Sequence, residues 1–231
     1  PRPAGDTQQA VRRFAAAFSN PENKPVIAVI LVDIGEDKGG VEPERLAALG
    51  GAVTVAIDPE RPDAAARAAA FRIAGDEVAI LAPDLPPGAT ASDVEVGYQA
   101  IVAALPESVA LIGSEDAGFQ KDRRQAQHLV ELLATDGRGL VTYPQGLNPA
   151  GQAAEGVGLP HASVYRVLDG TGETAAVMMR LLDRAAFEAA RQTGIVVVGT
   201  TGIETVNVLE DWVGAGAKGT ILAPVSAVLA D

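Results

Sequence analysis

The sequence predicts an α/β fold whose parallel sheet is either closed into a (β/α)7–8 barrel or left open and doubly wound. Short β-branched runs alternate with Ala-rich helical stretches from about residue 24 to the C-terminus, and that alternation implies crossover connections between parallel strands. No series of two-residue hairpin signals interrupts it. Roughly seven strand–helix units within 231 residues favour the barrel over the open sheet. No internal repeat, low-complexity block or Pro-rich break divides the middle of the chain. One domain is therefore expected over 24–231, preceded by a linker and helix over 1–23.

Each element has a local reason. A helix is expected over Gln8 to Phe18, with Val11, Phe14, Ala15 and Phe18 on one face, ended by Asn20 and Pro21. VIAVILV (26–32) is an unbroken apolar run, as for a strand buried on both faces. Gly39 and Gly40 loosen the next loop, a helix covers 43–49, and Gly50 and Gly51 stop it. VTVAI (53–57) is the second strand, and an Ala-rich helix runs from Pro62–Asp63 to Gly75. EVAILA (77–82) is the third; the rigid loop PDLPPGAT leads to a helix capped by Ser92 and reaching about Leu105. SVALI (108–112) is the fourth, followed by a helix over 121–134. GLVTY (139–143) is the fifth, with a Gly-rich, weakly helical stretch over 144–160. ASVYRVL (162–168) is the sixth, before the longest helix, 174–191, whose stripe Val177, Met178, Leu181, Leu182 and Phe187 reads as core. GIVVVGT (194–200) is the seventh, then a helix over 203–213 with Trp212 packed inward, and TILAPVSAVLA closes the chain.

Composition removes whole classes of function. With 18 basic and 30 acidic residues the formal charge is −12, a field that repels nucleic acid and anionic membrane surfaces. There is no Cys, so disulfides, thiolate nucleophiles and Cys-held zinc are excluded. The two His, His128 and His161, are too few for a three-His site. His128 falls on a helix and His161 just before strand six, so no Ser-His-Asp arrangement is indicated. No stretch of about 18 apolar residues exists to span a bilayer. The opening PRPAGD reads as the end of a linker, with any upstream signal or anchor removed.

Function in parallel α/β folds collects at the C-terminal ends of the strands. Those ends carry Asp33 (with Glu36 and Asp37), Asp58, Asp84, then Ser114, Glu115 and Asp116, then Tyr143, Asp169, and Thr200 with Thr201. Carboxylates around one mouth suit a hard cation or a polyol. The plainer role for Asp58, Asp84 and Asp116 is to accept backbone N–H bonds ahead of the next helix. Asp33 is separated from its helix by GEDKGG, so capping explains it less well. GTTGIET (199–205) is either an anion cradle or an N-cap.

Five of these places, in order, resemble the divergent polysaccharide deacetylase family, a branch of the metal-dependent carbohydrate deacetylases. They are the first strand running into VDIGED, VTVAIDP, GDEVAILAPDLPPG, GIVVVGTTGIETVNVLEDW and the closing ILAPVSAVLA. The resemblance implies a distorted barrel and places a metal-binding Asp at Asp33. It also implies losses. The catalytic-base position falls on Val32, two ligand His positions on Leu81 and Leu111, a late His on Thr200, and an Asp on Thr142. Leucine cannot ligate a metal, and one carboxylate is too few ligands for tight zinc.

The expectation is a deacetylase-like domain of cell-envelope glycan metabolism, catalytically inactive, cofactor-free and kept for binding a glycan or an envelope protein. One alternative is an active enzyme with a divalent metal held by Asp33, Asp58, Asp84 and Glu115. Ser114 and Thr200 complete the candidate cleft. The other is a protein-interaction scaffold with an acidic surface. Because members of the family are typically exported, the expected location is the periplasm, behind an N-terminal anchor.

Overall fold

Strand β1 (Val26–Val32) closes the sheet on itself. In the computed structural model, which describes residues 9–49, 53–85, 88–114, 118–144, 146–192 and 194–229, one edge of β1 pairs Ile27–Val32 with β7 (Ile195–Thr200). The other edge is shared. Its upper half, Val29–Val32, pairs with β2 (Val53–Ile57), and its foot, Val26–Ala28, with β8 (Ile221–Ala223). Between β2 and β7 run β3 (Glu77–Leu81), β4 (Ala110–Ile112), β5 (Gly139–Thr142) and β6 (His161–Val167), each parallel to the next. The result is a closed ring of seven parallel strands, with β8 lying beside its base. The open-sheet alternative is thereby ruled out, and the eighth apolar segment stays outside the ring.

Around the ring sit α2 (Pro43–Leu46), α3 (Ala64–Ala74), α4 (Ala91–Ala104), α5 (Arg123–Asp136), α6 (Pro149–Val157), α7 (Ala175–Ala189) and α8 (Ile203–Gly214), while α1 (Ala10–Arg13) and α9 (Ser226–Leu229) lie at its foot. Strand alternation divides the apolar residues into two clusters. Ile27, Val29, Leu31, Val55, Ile80 and Leu140 face outward under the helices. Ala28, Ile30, Ala56, Ala79, Ala110 and Ile112 face the lumen. The lumen takes alanines because a ring of so few strands is too narrow for larger side chains throughout.

One carboxylate organises the foot of the barrel. Glu77 is fully buried. It accepts the Thr54 hydroxyl at 2.9 Å, the Ser226 N–H at 3.1 Å and the Ala16 N–H at 3.2 Å. Burial pushes its pKa up, against the pull of these donors. Thr54 in turn accepts the Val225 N–H at 2.8 Å. The start of α9 and the N-terminal segment are thus both tied under the ring.

This plug changes the first helix. Only α1 is helical where the periodicity predicts a helix over Gln8 to Phe18. Beyond it the chain runs irregularly to reach Glu77, and Phe14 lies under the guanidinium groups of Arg13 and Arg72, 5.1 and 5.7 Å from its ring. The cap of α4 is Thr90, not Ser92. Thr90 Oγ1 accepts the Asp93 N–H while Asp93 accepts the Thr90 N–H at 2.8 Å, a reciprocal box. The weakly helical stretch 144–160 forms α6, started by Pro149 and by Asn148, whose Oδ1 accepts the Gly151 N–H. His161 opens β6 rather than preceding it. Phe187, expected in the core, is 63% exposed beside Arg191. The Gly50–Gly51 stop and the PRPAGD linker lie outside the described residues.

Asp76, the residue just before β3, has no such satisfaction. It is 3% exposed, and neither carboxylate oxygen has a hydrogen-bond partner among the described residues. Burial pushes its pKa from 3.8 up to about 7. A carboxyl raised in the folded state contributes stability while protonated and loses it as pH rises through the folded pKa. Asp76→Asn is therefore expected to abolish a fall in unfolding free energy of about 2–4 kcal/mol between about pH 4 and about pH 8. Urea melts of both proteins across that range check it.

Candidate functional site at the barrel mouth

The backbone continues from β1 into Asp33, whose N–H donates to the Ala56 carbonyl at 2.9 Å, so pairing with β2 sets its position. Its side chain is fully buried. Arg67, projecting from α3, grips it with two prongs: Nη2 donates to Oδ1 at 2.7 Å and Nε to Oδ2 at 2.9 Å. The third nitrogen of Arg67 donates to Glu36 at 2.8 Å, and the guanidinium lies 5.0 Å from the Phe71 ring. Asp33 Oδ1 also accepts the Gly35 N–H at 3.1 Å and, at 3.4 Å, the Thr201 hydroxyl. The hydrogen bonds to Asp33 raise the Arg67 pKa further above its ordinary value, so it is a permanent cation.

The loop after Asp33 is folded tightly over this pair. Gly35 has φ +78°, and a Cβ there would lie 2.6 Å from Asp37 Oδ1 and 2.8 Å from the Arg61 guanidinium. Gly40 forms an antiparallel bridge with Gly202, and the Val41 N–H donates to the Thr201 carbonyl at 2.8 Å. The β1 loop is thus fastened to the end of β7.

The other candidate residues are dispersed. Asp58 accepts the Glu60 N–H at 2.9 Å within its own turn. Asp84 is on an exposed loop. The Ser114 carbonyl accepts from Gln120 Nε2 at 2.8 Å. Glu115 and Asp116 lie outside the described residues. Thr200 donates its N–H and its hydroxyl to Asp169 Oδ2, at 2.9 and 2.6 Å, and the Thr205 hydroxyl adds a third bond at 2.6 Å. Asp169 therefore stands at the N-terminal turn of α8, where the GTTGIET segment was expected to cap a helix or cradle an anion: the carboxylate comes from the chain itself.

Val32 and Leu81 border the lumen with the apolar cluster. Leu111 does not; it is buried on the outer face under the helices, and Ile112 takes the inward position. A one-residue offset in a strand reverses the face. Thr142 is fully buried and accepts a bond from Asn148 Nδ2 at 2.9 Å.

Beside the mouth the wall opens. Pairing between β5 and β6 stops at Thr142–Ser163, while β6 continues to Val167. The opening is a cavity of about 370 Å³ bordered by Tyr143, Tyr165, Arg166, Thr171 and Glu173. The Arg166 guanidinium lies 5.6 Å from the Tyr165 ring. Thr171 donates its hydroxyl to Glu173 at 2.7 Å, which holds that carboxylate below its ordinary pKa. Tyr143 packs on the lumen cluster, joining groove and mouth.

Residues 29–229 match the family model for divergent polysaccharide deacetylases. The chain belongs to that family. None of the curated protein sequences matches it. Among solved structures it is similar to an uncharacterised protein of Agrobacterium tumefaciens C58, with a TM-score of 0.78 and 17% identity over 95% of both chains. It is similar to a T48 deacetylase solved with substrate, with a TM-score of 0.61 and 13% identity over 92% of this chain and 94% of the other. The catalytic domain of a peptidoglycan N-acetylglucosamine deacetylase from Eubacterium rectale ATCC 33656 gives 0.52 and 13% identity over 90% and 91%. At these identities the structures show a shared fold, the closed α/β barrel.

The residues present do not fit the metal that the family implies. Both oxygens of Asp33 are taken by Arg67, Val32 and Leu81 carry no donor atoms, and Leu111 faces away. No group of three His, Cys, Asp or Glu side chains with metal-holding geometry occurs among the described residues.

Arg67, the residue that decides the site, carries little signal in the sequence. The available signal was one cation inside the alanine run AAARAAAF, on the helix following Asp58. The strand-end place of Asp169 is legible, but its bonds to Thr200 and Thr205, 31 and 36 residues away, are not. Asp169→Ala leaves two hydroxyls and one N–H without their acceptor and is expected to cost about 1–3 kcal/mol of stability. Chemical denaturation against the parent protein measures it.

Proposed function

We propose that this domain binds carbohydrate in the cell envelope and does not hydrolyse it. The observation that carries the reading is the groove bordered by Tyr165 where β5 and β6 part, opening beside a mouth in which Val32 and Leu81 are apolar and Asp33 is paired with Arg67. Aromatic rings offer flat apolar faces to pyranose C–H groups. The adjoining Arg166, Thr171 and Glu173 supply donors and acceptors suited to hydroxyls. Hydrolysis of an acetamide needs an activated water, a base and an oxyanion partner. Val32 cannot be that base, and no described side-chain group stands ready to activate the water.

Family membership supports carbohydrate as the ligand class. The peptidoglycan deacetylases among its structural neighbours, from Eubacterium rectale and from Bacillus subtilis, support the cell envelope as the setting. On this reading the domain acts in the periplasm, tethered through an N-terminal segment. The rebuilt carboxylate metal site has no geometric support, because Asp33 is bound to Arg67 and Asp58 to its own turn. An acidic interaction scaffold is the reading that remains if glycans fail to bind.

Calorimetric titration with chitooligosaccharides, acetylated and free, tests the proposal. Binding is expected, with Tyr165→Ala weakening it by about tenfold, and no acetate is expected to be released. Turnover on the acetylated oligomers would overturn the proposal, as would an absence of binding.

A further inference from the structure

We infer that the Arg67 guanidinium is the resident cation of the barrel mouth: it supplies to Asp33 the positive charge that a divalent metal supplies elsewhere in the family, and so closes the position to metal. The inference rests on the non-hydrolytic reading above and adds the residue responsible.

The Asp33 side chain is fully buried, and a buried carboxylate without a positive partner is strongly destabilising. Its partner here is covalently part of the chain. Arg67 delivers two parallel N–H donors from one rigid plane, a geometry that a lysine point charge cannot copy. The Gly35 N–H and the Thr201 hydroxyl add further donors at Oδ1. A metal ion reaching Asp33 would have to displace at least one of these.

Arg67 is itself anchored by Glu36 and against the ring of the fully buried Phe71. A second guanidinium stands close by. Arg61 is packed against Gly35 and paired with Asp63 at 2.9 Å, and its pKa is raised by that bond and by the charges of Asp33 and Asp37. Two guanidinium groups thus stand beside the loop that covers Asp33.

Melting curves and Mn²⁺ titration followed by electron paramagnetic resonance test this on the whole chain. Asp33→Asn and Arg67→Met are each expected to lower Tm by about 10 °C, and the double variant to recover at least half of the summed loss. The parent protein is expected to bind no Mn²⁺ stoichiometrically. Arg67→Met frees Asp33 and Glu36 together and is expected to bind Mn²⁺ at least about tenfold more tightly than the double variant. Arg67→Lys keeps the charge without the fork; it guards against a poorly folded Arg67→Met and is expected to remain metal-free at an intermediate Tm. Stoichiometric uptake by the parent or by Arg67→Lys, or losses in Tm that simply add, would overturn the inference. Glycan binding and acetate release by the parent protein judge the functional reading separately.

Discussion

Everything in this molecule is placed by the three-way pairing of β1. Its seven residues are hydrogen-bonded along one edge to β7 and along the other to β2 above and β8 below. That sharing closes the ring, because the strand that follows the N-terminal segment is also the neighbour of the last ring strand. It also leaves room at the foot for β8 and α9. Alternation along the same strand sends Ile27, Val29 and Leu31 toward the helices and Ala28, Ile30 and Val32 toward the lumen. Asp33, the next residue, emerges at the mouth with its N–H already committed to Ala56.

The two ends of the barrel handle buried carboxylates differently. At the foot, Glu77 is surrounded by neutral donors from three segments, and its pKa is raised. At the mouth, Asp33 has a guanidinium within 2.7 Å. The contrast follows from what each end must do. The foot joins chain segments that have only N–H and hydroxyl groups to offer. The mouth holds a buried Asp at the end of β1, and a buried carboxylate needs a positive partner, which Arg67 supplies. A protein of formal charge −12 thus keeps one of its 18 basic residues deep at the C-terminal rim.

The strand readings were largely legible because each barrel strand is a local apolar run bounded by turn residues, as in VIAVILV and GIVVVGT. The helical periodicity over Gln8 to Phe18 is genuine, yet the chain is helical only over Ala10–Arg13, because the partner of its next segment, Glu77, lies 61 residues from Ala16. Ser92 was a plausible cap, but the Thr90–Asp93 spacing two residues earlier makes the better box. Leu111 was placed on the cleft because family motifs are aligned by sequence order, whereas the face a strand residue occupies depends on the parity of its pairing register.

The sequence by itself determined the α/β class, the absence of thiol and multi-histidine chemistry, and the family. These follow from residue types and local patterns. Only the tertiary structure decided that the sheet closes, that β5 and β6 part to open a groove bordered by Tyr165, and that Arg67 neutralises Asp33. Those outcomes join residues far apart along the chain, 34 positions in the case of Arg67 and Asp33. Neither composition nor periodicity encodes which distant side chains a closed ring brings into contact.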